Sequence, residues 1–595
     1  TGQLLTAAQY LSGVIPPKLD AARAAAETDD RFRANVRALE LVLPTPLTPE
    51  EITARPGAVW ISAAHHQQFL RELVGDPSVT ITNPLPGTWQ VRGGVRRSIR
   101  ATSEWGTDRR SAHDLLEQLA NQSQIRVDDK IRDVDGTERS VFNPTETTAA
   151  QEKADLIRER FEEWVWEDPD RAAELAAEYN RRFNGIVLRD YTAEGEALTL
   201  PGMVASFELR AHQKTAVARM VSEPAVGLFH EVGAGKTAEM VAGAMELRRR
   251  GMVNKVGVVV PNHMLEQFTR EWLQLYPQAR ILAANTDTLS GDKRRIFVAR
   301  AAANDWDAII LTREAFKRLP VEPDTMARYI DNEVDTLRQG LANLDSEDRL
   351  TVKQIEKRIA AAEETQKRLL DAPRDAGITF ESTGIDYLIV DEIHDYKNLA
   401  TVSRIRDANI TGSARATDLA VKLDYLRRTH GDRVITGATA TPIANSITEA
   451  HVMQRLLRPD LLRAAGVESF DAWAETFGET VDEVEMAPQG GESFRLKTRF
   501  ARFRNVPEML RMWHVFADVK TAEDLDLPTP PLRMRADGRR APETIAIDPS
   551  PEVLDYVRQL GERADRVAAK QVTPEEDNML KISGDGRKAA LDIRM

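Results

Sequence analysis

Hydrophobic positions follow a helical pattern through most of the first 205 residues. From 145 to 183 the chain is rich in Ala, Glu and Arg, which favour helices. Between 78 and 100 the apolar residues instead alternate in short runs bounded by Pro and Gly, a pattern that predicts a small sheet. We therefore predict an N-terminal accessory region over residues 1–205 that is mainly helical with one small sheet.

Beyond residue 206, short unbroken apolar runs alternate with helical patterns. The runs are Ala225–Phe229, Val256–Val260, Ile309–Leu311, Tyr387–Val390 and Val434–Ile435. Strands that are apolar on both faces and separated by helices are typical of a parallel sheet. We therefore predict an α/β fold with a parallel-sheet lobe over residues 206–460. A charged stretch with few turn residues, 322–372, predicts a helical insertion, which either has a function or is only a solvated surface excursion.

The C-terminal part of the chain is less regular. Gly and Pro interrupt residues 461–543, which we interpret as an accessory segment. After it, residues 544–547 (TIAI) predict a strand, and residues 549–570 predict a helix. We therefore predict that residues 544–595 form a separate segment of the chain.

Composition narrows the function classes. The 595-residue chain contains no cysteine, which excludes disulfides, thiolate zinc sites and cysteine nucleophiles. Because no apolar run is long enough to cross a bilayer and the N-terminus lacks a signal pattern, we expect a cytoplasmic protein without a membrane partner. The net charge of −13 argues mildly against a nucleic-acid partner, but a local basic track is enough for phosphate contacts.

A glycine-rich loop follows the first predicted strand of the sheet. Residues 230–237 read HEVGAGKT, and a predicted helix comes next. In such a phosphate loop, backbone N–H groups and a helix N-terminus cradle phosphates, the lysine reaches the β- and γ-phosphates, and the hydroxyl holds Mg²⁺. The first glycine of the usual pattern is replaced by His230, and the alternative is a chance Gly-Lys-Thr turn. The predicted ATP-binding residues are Gly233, Ala234, Gly235, Lys236 and Thr237.

An acidic pair follows the predicted strand 387–390 directly. Because ligand chemistry in parallel sheets gathers at the C-terminal ends of strands, Asp391 is placed to hold Mg²⁺ together with Thr237. Glu392 is placed to polarise the attacking water. The alternative for Asp391 is a bare helix-cap role. The predicted catalytic residues are Lys236, Asp391 and Glu392.

These motifs resemble superfamily 2 helicases, in particular the Swi/Snf-like branch. Residues 209–213 (LRAHQ) are similar to the segment whose glutamine reads adenine, which implies that role for Gln213. Residues 391–398 (DEIHDYKN) and 439–446 (TATPIANS) are similar to the acidic and coupling motifs of the family. The residues that would couple nucleotide state to DNA are His394, Thr439 and Thr441. The resemblance implies a RecA-like ATPase lobe that uses ATP and Mg²⁺ and acts on DNA, with duplex favoured over single strands.

Residues 228–237 and 384–392 are most similar to the helicase part of large phage- and plasmid-borne adenine methyltransferase–helicase fusions, the DarB-like group. That resemblance implies a methyltransferase or another restriction or defence component as partner. The chain lacks the Asp/Asn-Pro-Pro-aromatic motif of such methyltransferases, so a methyltransferase is expected outside it. It also lacks the Gln-x-x-Gly-Arg motif of a second motor lobe, so residues 544–595 are expected to be an incomplete start of that lobe.

Two basic runs with interleaved or neighbouring aromatic residues are candidate DNA contacts, because cations pair with phosphates and aromatic rings offer faces to bases. The first run, interleaved with phenylalanines, comprises Arg495, Lys497, Arg499, Arg502 and Arg504. The second, near two tryptophans, comprises Arg92, Arg96, Arg97 and Arg100. The alternative for each run is a solvated face whose aromatic side chains point into a core.

The motifs together predict an ATP-dependent DNA translocase or helicase module. The resemblance to the DarB-like group implies a setting in mobile-element DNA modification, restriction or anti-restriction. Two alternatives stay open, a remodeller of protein–DNA complexes and a nucleotide-switched scaffold without motor activity. DNA-stimulated hydrolysis that weakens with salt separates the first hypothesis from both.

Overall fold

The computed structural model describes most of the chain. The described residues are 5–132, 138–342, 378–401, 412–444, 446–486, 494–525, 532–568, 571–573 and 575–594, with 356, 359–360, 363–364, 403 and 410 between them. The chain divides into two compact units, Thr1–Glu479 with Phe500–Asp526, and Thr480–Arg499 with Leu527–Met595.

The N-terminal region is mainly helical, as predicted. Its helices are α1 (Ala7–Tyr10), α2 (Pro16–Thr28), α3 (Arg33–Val42), α4 (Ala63–Val74), α5 (Ala112–Ala120), α6 (Pro144–Glu167), α7 (Pro169–Phe183) and α8 (Thr192–Glu196). Helices α6 and α7 begin with proline after the caps Asn143 and Asp168, where proline is tolerated because the first helical N–H has no partner in the helix.

Three antiparallel strand pairs accompany these helices. They are β1 (Gly13–Val14) with β6 (Ile186–Val187), β2 (Thr80–Leu85) with β3 (Thr88–Arg92), and β4 (Asp128–Arg132) with β5 (Glu138–Phe142). The β2–β3 hairpin is the small sheet that the alternating pattern predicts.

A parallel sheet with helices on both faces forms the next part of the same unit. Its strands are β7 (Ala225–His230), β8 (Val256–Val260), β9 (Ile281–Ala284), β10 (Ala308–Thr312), β11 (Tyr387–Asp391), β12 (Ile435–Ala438) and β15 (Ala517–Lys520). They lie in the order β15-β7-β12-β11-β8-β10-β9, and every described pairing is parallel. The predicted α/β class with a RecA-like lobe is thereby confirmed.

The helices of this lobe connect and cover the strands. They are α9 (Ala211–Ser222), α10 (Lys236–Arg249), α11 (Leu265–Leu275), α12 (Asp292–Ala303), α13 (Arg313–Lys317), α14 (Pro323–Ala342), α15 (Ala414–His430), α16 (Thr448–Leu457), α17 (Pro459–Ala465), α18 (Phe470–Phe477), α19 (Val506–His514) and α20 (Ala522–Leu525). Helix α14 forms the first part of the predicted insertion. Most residues of the insertion between 343 and 372 lie outside the described part of the chain.

Alternate residues along a strand belong to two different hydrophobic cores, one on each face of the sheet. In β11, Tyr387 and Ile389 join the core that contains α9, α10 and α11, whereas Leu388 and Val390 join the core on the opposite face. This second core continues without interruption into the N-terminal region, where it includes Trp89. The strands are apolar on both faces because each face is covered, as the unbroken apolar runs predict.

Strand β13 (Gly478–Met486) pairs with β14 (Phe494–Phe503), and most residues of both strands belong to the second unit. The second unit also contains the helices α21 (Pro551–Ala568) and α22 (Met579–Leu591). Arg563 of α21 forms ion pairs with Asp585 of α22 and with Asp577, which precedes that helix. The strand predicted at 544–547 is wrong: these residues have no regular structure, and Ile545 and Ile547 are 78% and 85% exposed. Among the described helices, none combines the length and apolarity needed to cross a membrane.

Candidate nucleotide and nucleic-acid site

Three motifs far apart in sequence meet at one edge of the sheet. The phosphate loop follows β7, the acidic pair ends β11, and residues 439–441 follow β12, the strand between those two. Pairing of Ala438 with both Leu228 and Asp391 sets their relative positions. The structure therefore gathers the predicted phosphate, metal and coupling residues at the C-terminal edge, where parallel sheets bind ligands.

The phosphate loop is shaped by two glycines in the left-handed region. Gly233 has φ 87° and Gly235 has φ 88°, values that side-chain-bearing residues rarely adopt. A Cβ at Gly233 would meet nothing within 4 Å, so the loop is open on that side to a ligand. Helix α10 begins at Lys236, whose Nζ donates hydrogen bonds to the carbonyls of His230 (2.8 Å) and Glu231 (3.3 Å).

The Gln213 side chain holds the backbone of the phosphate loop through hydrogen bonds. This side chain is buried, its Oε1 accepts from the Arg210 N–H at 2.9 Å, and its Nε2 donates to the carbonyls of Ala234 and Gly235 at 3.2 Å each. The His212 Nε2 lies 3.0 Å from the Ala234 carbonyl as well. In this arrangement Gln213 fixes the loop backbone, and its contact with adenine stays a prediction.

In the acidic pair, Asp391 is buried and Glu392 has a strained backbone. Burial raises the pKa of Asp391 to about 6, and the neighbouring Glu392 adds to that effect, whereas Lys236 and Arg313 oppose it. Glu392 has φ 54° and ψ 52°, one of three positive-φ non-glycine residues in the described chain. Such strain is typical of functional positions.

Mg²⁺ would fit the oxygens present here. The Asp391 carboxylate and the Thr237 hydroxyl are hard oxygen ligands of the kind that Mg²⁺ prefers. A divalent cation would also offset the cost that burial places on the ionised Asp391. The two residues would hold the metal beside the phosphates.

Glu392 belongs to a hydrogen-bonded network with the coupling residues. Its Oε2 lies 3.0 Å from the His394 Nδ1 and accepts from the Thr439 hydroxyl at 3.2 Å. The His394 Nδ1 is also 2.8 Å from the Thr439 Oγ1, which in turn accepts from the Thr441 N–H at 3.1 Å. Thr439 is fully buried, and its hydroxyl connects the Glu392 carboxylate with the Thr441 N–H.

Two ion pairs that the sequence analysis missed extend this network. Glu449 pairs with Lys397 at 3.0 Å and accepts from the Ala444 N–H at 2.6 Å, which joins the acidic motif to the segment after β12. Arg313, at the start of α13, forms an ion pair with Asp395. No spacing rule connects these partners in sequence, so only the fold reveals them.

The structure does not describe most side chains of the first predicted basic run, the one interleaved with phenylalanines. The structure describes only the β14 backbone for four members of the run: Arg495, Lys497, Arg499 and Arg502. Arg504 donates from Nε to Glu479 at 2.9 Å and forms a second contact to the same carboxylate. Its ion pair reduces what Arg504 offers a phosphate, and its role in DNA binding stays a prediction.

The second run, around Arg96, is partly neutralised. Arg96 forms an ion pair with Asp114, and Arg100 lies 3.5 Å from Glu104. Arg92 donates to the Gln90 side chain at 2.6 Å, and Arg97 is exposed.

A basic patch that the sequence analysis did not identify lies at the functional edge of the sheet. It consists of residues at the start of α12 and the end of α13, after β9 and β10: Lys293, Arg294, Arg295, Lys317 and Arg318. Arg294 Nη1 donates to the Arg318 carbonyl at 3.4 Å, which joins the two segments, and four of the five residues are exposed. We call this group the basic edge patch.

Comparisons with known proteins identify a matching family, one relative and one solved structure. A family described as a probable helicase domain matches residues 220–521, and a domain of unknown function matches residues 55–185. Over 431 residues the chain is 24% identical to "Defense against restriction protein B" of Escherichia phage P1, a match that covers 63% of this chain and only 18% of that relative. The solved SWI2/SNF2 ATPase core of Sulfolobus solfataricus in complex with dsDNA is similar with 13% identity and a TM-score of 0.30, over 63% of this chain and 56% of that one.

Proposed function

The chain belongs to the family of the probable helicase domain, and on that premise we propose that it is an ATP-dependent translocase or helicase module that acts on DNA. The observation that carries the proposal is the convergence of Lys236, the pair Asp391–Glu392 and the Thr439 network at one sheet edge. A protein that only bound nucleotide would need no acid placed to activate water.

In the proposed reaction, backbone N–H groups of residues 233–237 and the Lys236 ammonium hold the phosphates of ATP. Thr237 and Asp391 would hold Mg²⁺, which neutralises charge on the β- and γ-phosphates when bound. Glu392 orients a water and accepts its proton as the water oxygen attacks the γ-phosphorus. The bond from the γ-phosphorus to the bridging oxygen breaks, and ADP and phosphate leave.

Coupling to DNA would run through the hydrogen bonds of Glu392. When the γ-phosphate is released, Glu392 loses the water that it orients, and its bonds to His394 and Thr439 are free to rearrange. The Thr441 N–H donates to the Thr439 hydroxyl, so residues 439–441 would follow that change. The basic edge patch, on the same edge of the sheet, offers phosphate contacts that are independent of sequence.

The biological setting is proposed from the named relative. The matched protein's name refers to defence against restriction, so we place this chain in mobile-element DNA modification, restriction or anti-restriction, with a methyltransferase or another defence component as partner. Because the chain spans 18% of that relative's length, the relative's whole activity is not transferred.

ATP hydrolysis with and without DNA tests the proposal. We expect phosphate release that rises with duplex DNA, less with single strands, and falls when salt is raised. Glu392→Gln should abolish hydrolysis and keep ATP binding, and Lys236→Ala should lose binding. Glu266→Gln, at an exposed position of α11, is the matched control. Hydrolysis in Glu392→Gln at the wild-type rate would overturn the assignment, and absence of ATP binding by the wild type would overturn the function.

A further inference from the structure

A histidine replaces the first glycine of the phosphate loop and is completely buried among carboxylates. His230 ends β7 with no exposed surface. Its Nδ1 lies 3.0 Å from the carboxylate of Glu239 on α10, and its Nε2 lies 3.7 Å from Asp518 Oδ1 on β15. Glu239 is fully buried and Asp518 is 6% exposed, so three ionisable side chains from three elements share one dry cluster.

This cluster favours a cation between the two carboxylates. An unpaired buried carboxylate costs several kcal/mol, so a neutral imidazole would leave both acids poorly compensated. Burial alone would lower the pKa of His230, but the two carboxylates outweigh it and raise the pKa to about 9. The two carboxylates therefore favour the imidazolium form of His230.

Three further charged or titratable groups face the cluster. The His212 Nε2 lies 3.7 Å from Glu239, with its ring 6.0 Å from that of His230. Arg219 and Lys520 are close enough to lower the pKa of Asp518, although Arg219 also donates to the His514 carbonyl. None of the three lies between the two carboxylates as His230 does.

The cluster is connected to the loop that would hold phosphates. The His230 carbonyl accepts from the Lys236 Nζ at 2.8 Å, and the Glu231 N–H donates to the Lys520 carbonyl at 2.9 Å. Glu239 lies in the first turn of α10, the helix that begins at Lys236 in the phosphate loop. The start of the loop is thus held by β15 on one side and by α10 on the other.

We infer that His230 is a positioning residue for nucleotide binding: its imidazolium clamps the start of the phosphate loop to Glu239 of α10 and to Asp518 of β15. The clamp presets the loop glycines and Lys236 for a nucleoside triphosphate. It also ties the loop to the strand after which the chain continues into the second unit. This inference rests on the proposed function, because it concerns the same nucleotide site.

The test measures the Kd for ATP with Mg²⁺ by calorimetry at pH 7 and pH 10, beside thermal unfolding. At pH 7 we expect His230→Gln to bind ATP on the order of 10-fold more weakly than the wild type, the loss of about one charge-assisted hydrogen bond. Because pH 10 lies above the pKa of His230, loss of the imidazole proton should shrink the ratio between variant and wild type. His430→Gln, at an exposed position of α15, should match the wild type at both pH values.

A second variant, Asp518→Asn, tests the same inference if His230→Gln does not fold. Asp518→Asn removes one carboxylate of the cluster, on β15 and outside the phosphate loop. Added to His230→Gln, it should restore part of the lost affinity. If His230→Gln does not fold, Asp518→Asn alone should still weaken ATP binding. Equal ATP affinity of wild type, His230→Gln and Asp518→Asn at both pH values, with only thermal stability changed, would overturn the clamp. A wild type that binds no ATP would instead overturn the proposed function.

Discussion

Acid should destabilise the N-terminal region through His66 of α4, a buried histidine that is held neutral. The His66 Nε2 accepts a hydrogen bond from the Gly57 N–H at 2.9 Å, and the Nδ1 lies 2.9 Å from the Ser62 carbonyl, to which it donates. The ring also lies 4.1 Å from that of Trp89 and 5.0 Å from that of Phe161. Protonation must therefore break the bond from Gly57 inside an aromatic core.

The size and sign of the effect follow from the two pKa values. Burial lowers the pKa of His66 to about 4, while the bond to the Ser62 carbonyl partly opposes that shift. The unfolded chain binds the proton near pH 6.5, so the stabilising contribution is complete above that pH and is lost as the pH falls through 6.5 toward 4. The difference amounts to about 3 kcal/mol of the free energy of unfolding.

Urea unfolding followed by tryptophan fluorescence measures this loss. His66→Gln keeps an acceptor for Gly57 but does not titrate, so between pH 7 and pH 4 its free energy of unfolding should fall by about 3 kcal/mol less than that of the wild type. The exposed His430→Gln should follow the wild type. Because His451 is also buried and has its pKa lowered to about 3, only the difference between the two proteins is informative. Parallel decline of wild type and His66→Gln would refute the reasoning.

Three further predictions concern the nucleotide site and the DNA track. Gly235→Ala forces a left-handed residue, at about 1–2 kcal/mol, and places a Cβ against the Gln213 amide, so calorimetry should show ATP binding lost; an unchanged Kd would contradict the loop's role. Thr439→Val removes the hydroxyl between Glu392 and Thr441 and should keep ATP binding while abolishing stimulation by DNA; full stimulation in a phosphate-release assay would exclude the coupling path. Lys293→Ala combined with Lys317→Ala should reduce the slope of log affinity for duplex against log salt by about 2, and an unchanged slope would remove the basic edge patch from the track.

The sequence predicts the sheet lobe well because its central strands are buried on both faces. Tyr387–Asp391 is five buried residues long, and such a run has few alternative structures. Strand β15 was not predicted, since Ala-Asp-Val-Lys has no distinctive pattern and pairs with β7 almost 300 residues away. For residues 544–547 the sequence predicted a strand that the structure does not contain, because an alternating pattern without a partner strand forms no sheet.

The site could be predicted only as far as its motifs are contiguous. The loop at 230–237 and the acidic pair are local patterns whose chemistry depends on neighbours in sequence. The pairing of His230 with Asp518 and of Lys397 with Glu449 depends on strand order and helix packing, so no spacing in the sequence indicates it. The basic edge patch likewise forms only when the ends of β9 and β10 meet.

Displacement of a third strand from duplex DNA tests the claim of ATP-driven movement most directly. A labelled oligonucleotide is bound as a triplex at one end of a duplex, and its release is followed with ATP, with a non-hydrolysable analogue and with Glu392→Gln. We predict release with ATP and the wild type only. DNA-stimulated hydrolysis by the wild type without any release of the third strand would contradict the account, because the chain would then hydrolyse ATP on DNA without moving along it.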